Sequence, residues 1–213
     1  MNCPKYQAML IKEESMVFFI TLIIILILII LVKAYYILPI MDQVHTREIP
    51  KSYNINVSNR IDIQNNMECA AFSSAYILRH FGKEANGNEL YKDYPKKLID
   101  GNISPKGIIN FFTKNGYKVS FVRGDISTLK KQISRGVPVI VFIKVFRNKR
   151  YLHYVPVVGY DDEYLYLADS LKFLINCDMD NYNRKILIKE FEALWNTWIP
   201  FYKKTYILVD ECT

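Results

Sequence analysis

Histidine is scarce in this chain, with three among 213 residues. Cysteine is nearly as rare. Its four copies (Cys3, Cys69, Cys177, Cys212) include no C-x-x-C pair and none stands at metal-ligand spacing from a histidine, which removes the usual zinc-site patterns; no metal or organic cofactor is expected. Internal repeats are absent, and one apolar run is the single compositionally biased stretch. Lys and Arg outnumber Asp and Glu by 28 to 21, a formal charge of +7. The lysines are scattered, however, and no nucleic-acid-binding signature accompanies them, so the charge reads as solvated surface and no nucleic-acid partner is expected.

The apolar run is Ser15 to Val32, uncharged and dominated by Ile and Leu. As a helix it measures about 27 Å, close to the hydrocarbon thickness of a bilayer. A secretory signal peptide is the competing reading, but the run is long for one, the preceding head is weakly basic and no A-x-A-like cleavage site follows. The sequence therefore predicts a short polar head over 1–15, an uncleaved transmembrane anchor over 16–38, a linker over 39–59 and a folded domain over 60–213. Lys33 is placed to snorkel, with Tyr35 and Tyr36 in the interfacial belt. Counting Lys5 and Lys12 against Lys33, Arg47 and Lys51 leaves the orientation nearly balanced; the expectation is a single-pass protein with its domain on the extracytoplasmic side.

Beyond the linker the organising stretch is Gln64 to Gly82. A polar loop runs into Cys69, which opens a helix of small and apolar residues that stays apolar until Arg79 and stops near Gly82. Amides at a helix N-terminus favour a thiolate over a thiol, so the placement suits a nucleophile. A buried space-filling thiol is the plain alternative.

Further helices are predicted from Asn86-Gly87-Asn88, from Ser104-Pro105 to a stop at Gly116, and from a cap at Asp125 or Ser127 to Ser134. Strands are expected at Tyr117–Val122, Pro138–Val145, Tyr151–Tyr160, Tyr164–Ala168 and Tyr206–Asp210, with a charged turn at Arg147-Asn148-Lys149-Arg150 and a helix over Ile188–Trp195. Helices followed by largely antiparallel strands make an α+β domain.

A nucleophilic cysteine needs a base and the base needs an orienting partner. His45 lies in the linker stretch, and His80 sits eleven residues along the Cys69 helix, about 16 Å from the sulfur end. That leaves His153, near the start of an apolar strand. Asp169, an acid closing the next strand, is the candidate partner, although it also suits a turn cap. Pairing Gly159 with Glu163 across a three-residue loop sets His153 opposite Asp169 on one face; a two-residue loop at Asp161-Asp162 separates them. Gln64 is the candidate side-chain donor to an oxyanion, with Asn65 and Asn66 as rivals. A Cys177–Cys212 disulfide is left open.

The order of Gln64, the Cys69 helix ending His80-Phe81-Gly82, His153-Tyr154-Val155-Pro156-Val157-Val158-Gly159-Tyr160, Leu167-Ala168-Asp169-Ser170 and the late Glu190-Phe191-Glu192-Ala193-Leu194-Trp195 resembles a known family. It is similar to the papain-like cysteine peptidases of the bacteriocin-leader-processing type, which cleave after a double glycine, and most of all to their stand-alone bacterial relatives. The resemblance spans about residues 60 to 210. It implies a papain-like fold, hydrolysis of peptide bonds in a peptide or protein substrate, Cys69 as nucleophile, His153 as general base and acid, Asp169 as its orienting partner and Gln64 as oxyanion donor. The chain departs from the family at Ala70, where glycine is usual, and in a glutamine one residue closer to the cysteine. The leader peptidases are also fused to a transporter, and here a single membrane segment is expected. Two rival readings remain at this level: a papain-like binding module without catalysis, and an acyltransferase using the same triad.

Overall fold

The computed structural model describes residues 4–35, 37–42, 48–95 and 97–212, in two compact units, Met1–Ile37 and Leu38–Thr213. In the first unit residues 4–35 are a single helix, α1 (Pro4–Tyr35), so the polar head from Pro4 onward and the apolar run form one element. Within it, Glu14–Val32 is long and apolar enough to cross a membrane. Its one polar side chain beyond Ser15, Thr21, donates its hydroxyl to the Val17 carbonyl at 2.8 Å, the internal satisfaction that an apolar solvent demands.

In the second unit the helices are α2 (Cys69–His80), α3 (Gly87–Asp93), α4 (Pro105–Lys114), α5 (Ile126–Ile133) and α6 (Ile188–Trp195). The strands are β1 (Ile40–Met41), β2 (Tyr53–Asn54), β3 (Tyr117–Arg123), β4 (Val139–Lys144), β5 (Leu152–Tyr160), β6 (Tyr164–Leu167), β7 (Arg184–Leu187) and β8 (Thr205–Glu211). Local chemistry starts and stops the helices where the sequence indicates. The Asn86 side chain caps α3, and Ser104 caps α4 with Pro105 in its first turn. Asp125 and Thr128 form a reciprocal capping box on α5, and Gly116 ends α4 in the left-handed conformation, φ 82°.

One sheet runs β1-β3-β8-β4-β5-β6-β7, with β2 added to β5; all pairings are antiparallel except β1 with β3. β4 and β5 are almost wholly buried. Helix α2 packs along β5, α5 lies across β4 and β5, and α6 covers β4, β6 and β7. A core of Val139, Val141, Val155, Val157, Leu129, Phe191 and Trp195 fills the space between them.

Two expectations need correcting. The expected linker is, over its described residues 39–42 and 48–59, part of the domain: β1 and β2 join the sheet, Ile55 is buried, and Asp42 Oδ2 accepts hydrogen bonds from Tyr206 Oη at 2.5 Å and Gln132 Nε2 at 2.7 Å. Short polar segments such as these carry no periodicity of their own and are ordered by the sheet edges they pair with. The β5–β6 register is also different. Gly159 does not pair with Glu163; Tyr160 pairs with Leu165 and Gly159 with Tyr166, and the Asp161 carboxylate ties the turn by accepting from Glu163 N and Tyr164 N. Between Gly159 and Val157 the ladder shifts by one, so that Val157 pairs with Leu167 and Val158 is the extra residue of a bulge.

Candidate active site

That bulge decides what the hairpin presents. Continued unshifted from the turn, the ladder would place Asp169 opposite Pro156 and on the other face from His153. With the shift, Ala168 N donates to Pro156 O at 3.0 Å, and the continued register sets Asp169 opposite Val155, diagonal to His153 on the same face. His153 Nε2 and Asp169 Oδ1 are 3.0 Å apart, at 1% and 0% exposure. Gly159, beside the bulge, permits the close approach of β2 and Tyr166, because a Cβ there would meet Tyr53 O at 2.8 Å and the Tyr166 ring at 2.7 Å.

Asp169 is held from every side. Arg184 Nη1 donates to its Oδ2 at 2.8 Å, Leu171 N donates to Oδ1 at 2.9 Å, and the Asn183 amide clamps its backbone N–H and carbonyl. The Leu171 contact is the turn-capping role the sequence also allowed. Burial alone pushes the Asp169 pKa up; the His153 charge and hydrogen bond, then Arg184 and Leu171 N, overcome it and bring the carboxyl down to about 2. For His153 burial disfavours the charged ring, but Asp169 and then the Cys69 side chain, within hydrogen-bonding reach, raise it to about 9. With Nε2 on the carboxylate, Nδ1 is the ring nitrogen left for Cys69.

Cys69 opens α2, whose first ten residues, to Leu78, are all buried. Glu68 precedes it, but its carboxylate accepts from Asn65 N and Asn66 N, not from the first amides of the helix. The helix N-terminus beside the sulfur therefore has no side-chain cap. Gln64 is buried and doubly fixed: its N–H donates to Ser170 O at 3.0 Å and its Oε1 accepts from Ser170 Oγ at 2.6 Å. Its Nε2 donates one N–H to the Asn66 carbonyl, and an amide nitrogen carries two.

Gln64, Cys69 and His153 share one groove of about 280 Å³, walled also by Met67, Phe146, Tyr151, Leu171 and Phe173. His80 is not among its lining residues, and its ring lies within hydrogen-bonding reach of the Gly136 backbone. His45 lies outside the described residues. Cys177 and Cys212 are free thiols, not a disulfide.

Arg184 and Asn183 escaped sequence reasoning, as did the hold of Ser170 on Gln64. Arg184 alternates in phase with buried Ile186 on β7, but a charged residue in a polar run reads as solvent-facing until its partner is known.

A buried imidazole–carboxylate pair opening onto a cysteine at a helix head, on this helix-and-sheet scaffold, defines the class of papain-like cysteine peptidases. The chain belongs to the Peptidase C39 family, which it matches over residues 58–206. Among solved structures it is similar to the peptidase domain of Streptococcus ComA, a bifunctional ABC transporter of a quorum-sensing pathway, with TM-score 0.56 and 14% identity over 73% of this chain and 100% of that one. A C39-like peptidase from Bacillus anthracis gives TM-score 0.56 and 18% identity over 71% and 94%. A double-glycine-motif protease of an AMS/PCAT transporter, in complex with its leader peptide, gives 0.52 and 18% over 83% and 100%. No curated protein matches the sequence.

Proposed function

We propose that this protein is a membrane-tethered cysteine peptidase working through Cys69, His153 and Asp169, with Gln64 and the Cys69 N–H as oxyanion donors. The observation that carries the reading is the His153–Asp169 pair, buried at the back of the groove into which Cys69 opens. The Cys69 thiolate attacks the scissile carbonyl carbon, forming a C–S bond while the oxygen takes the negative charge. That charge is met by the Cys69 N–H and the second N–H of Gln64. Collapse breaks the C–N bond as imidazolium His153 gives its proton to the leaving amine. Water then attacks the thioester, His153 takes its proton, and the C–S bond breaks to release the acid. Asp169, locked by Arg184 and Asn183, keeps Nδ1 turned to the sulfur throughout.

Peptide substrates are also what the family membership and the leader peptide seated on the transporter protease favour. Cys69→Ala should abolish turnover and remove labelling at position 69 by a peptidyl electrophile while the fold persists; unchanged turnover sinks the assignment. Tethering is through α1, with the domain on the extracytoplasmic side. A membrane-impermeant maleimide then labels exposed Cys212 in intact cells, whereas labelling only after lysis reverses the orientation.

A further inference from the structure

We propose that the groove selects acidic peptides, with carboxylates lying within a few residues of the bond to be cut; this rests on the peptidase reading above. The groove's outer wall is an aromatic pair from two separate segments. Phe146, in the β4–β5 turn, stacks on Phe173 with ring centroids 6.0 Å apart and planes 14° from parallel, and both rings are exposed. Each is followed or preceded directly by a cation, Arg147 after Phe146 and Lys172 before Phe173, and Lys149 and Arg150 complete the same turn.

These cations differ from the ion-paired basic groups of the domain. Arg60, Arg79, Arg135 and Arg184 each hold a carboxylate. Among the described residues none of Arg147, Lys149, Arg150 and Lys172 has one within ion-pair distance. Asp169 is balanced by His153 and Arg184, whereas Glu68, one residue before Cys69, is bonded only to the neutral Asn65 and Asn66 amides. Asp100 sits instead beside Asn102, which belongs to the lining contributed by other segments. The four cations thus flank the aromatic wall along the chain, next to the lining residues Phe146, Tyr151, Leu171 and Phe173, and add positive charge beside the groove.

The turn is also held in place. Val145 N donates to Tyr151 O at 2.9 Å, Lys144 Nζ to Arg147 O at 3.3 Å, and Trp198 Nε1 to Arg150 O at 3.2 Å, with the Arg150 guanidinium 5.5 Å over the Trp198 ring. An extended peptide advances about 3.5 Å per residue, so a carboxylate two or three residues from the scissile bond reaches these cations.

The test uses the full chain in phosphatidylcholine nanodiscs and two double-ended epoxysuccinyl peptides. Both carry leucine beside the warhead on each side, extended in one by two glutamates and in the other by two lysines. Alkylation of Cys69 is followed by mass spectrometry and normalised to iodoacetamide, which needs no groove. Exposed ion pairs each contribute up to about fivefold, so two of them give a preference for the glutamate probe on the order of tenfold at low salt. Raising the salt should drive the ratio toward unity, and an Arg147→Glu, Lys149→Glu double variant should invert it. A ratio near one at low salt, or one the double variant leaves unmoved, overturns the proposal. So does a ratio that vanishes in phosphatidylserine nanodiscs, which assigns the cations to lipid. Failure of iodoacetamide itself at Cys69 points instead to failure of the catalytic reading.

Discussion

His153 and Asp169 move in opposite directions on the pH scale, and the pair's contribution to folding follows from both. The raised imidazole, about 9 against 6.5, stabilises the fold fully below pH about 6.5 and loses that effect as pH rises through about 9. The depressed carboxyl, about 2 against 3.8, stabilises above pH about 3.8 and loses that effect as pH falls through about 2. Denaturant unfolding measured across pH should therefore show stability declining between about 6.5 and 9. On the proposed mechanism the same deprotonation removes the acid that would protonate the leaving amine, so kcat/KM should have an alkaline limb near pH 9. In Asp169→Asn that limb moves to lower pH; an unmoved limb means another group controls it. Arg184 acts through the carboxylate. Arg184→Met strips a cation from a fully buried Asp169 and should cost about 3 kcal/mol in urea unfolding, with Arg184→Lys recovering part of the loss.

At the scale of elements, the β5–β6 hairpin shows how a one-residue irregularity does chemical work. The turn fixes one register by its Asp161 bonds, the end that carries His153 and Asp169 uses another, and the bulge at Val158 joins them. β2 seals this point from the side, with Ile55 N donating to Val158 O at 3.0 Å. Gly159→Ala would drive a methyl into backbone and ring atoms at once, so it should lower stability by about 1–3 kcal/mol and depress turnover. Thermal melts beside kcat measurements check both. Helix α2 illustrates the complementary device: a buried helix is a rigid mount, and its N-terminus, with no side-chain cap, meets solvent where the sulfur does.

For the molecule as a whole, the division of labour between α1 and the domain sets where truncation is tolerated. A chain lacking residues 1–37 loses the apolar helix and should no longer float with vesicles, yet should keep the domain's cooperative unfolding. Removing residues 1–59 also takes away β1, β2 and Ile55, and leaves buried Tyr206 without Asp42 and Tyr160 without the Pro50 carbonyl it donates to. That shorter fragment should be measurably less stable or fail to fold. Equal melting temperatures for the two fragments would show that 38–59 contributes nothing to the domain.

What the chain's order of residues determined was local. Caps at Asn86, Ser104 and Asp125, the stop at Gly116, the apolar run of α1 and the buried α2 and β4 were legible because neighbouring residues supply the whole signal. With three histidines, elimination pointed to His153, which the fold sets beside Asp169 and in the groove lined by Cys69. What only tertiary structure decided was register and partnership. The bulge at Val158, the inward Arg184, the Asn183 clamp, the Ser170 hold on Gln64 and the recruitment of β1 and β2 each depend on a group distant along the chain. A hydrogen bond or ion pair across such a separation leaves no local periodicity, and the side chain that makes it is indistinguishable in sequence from one facing water.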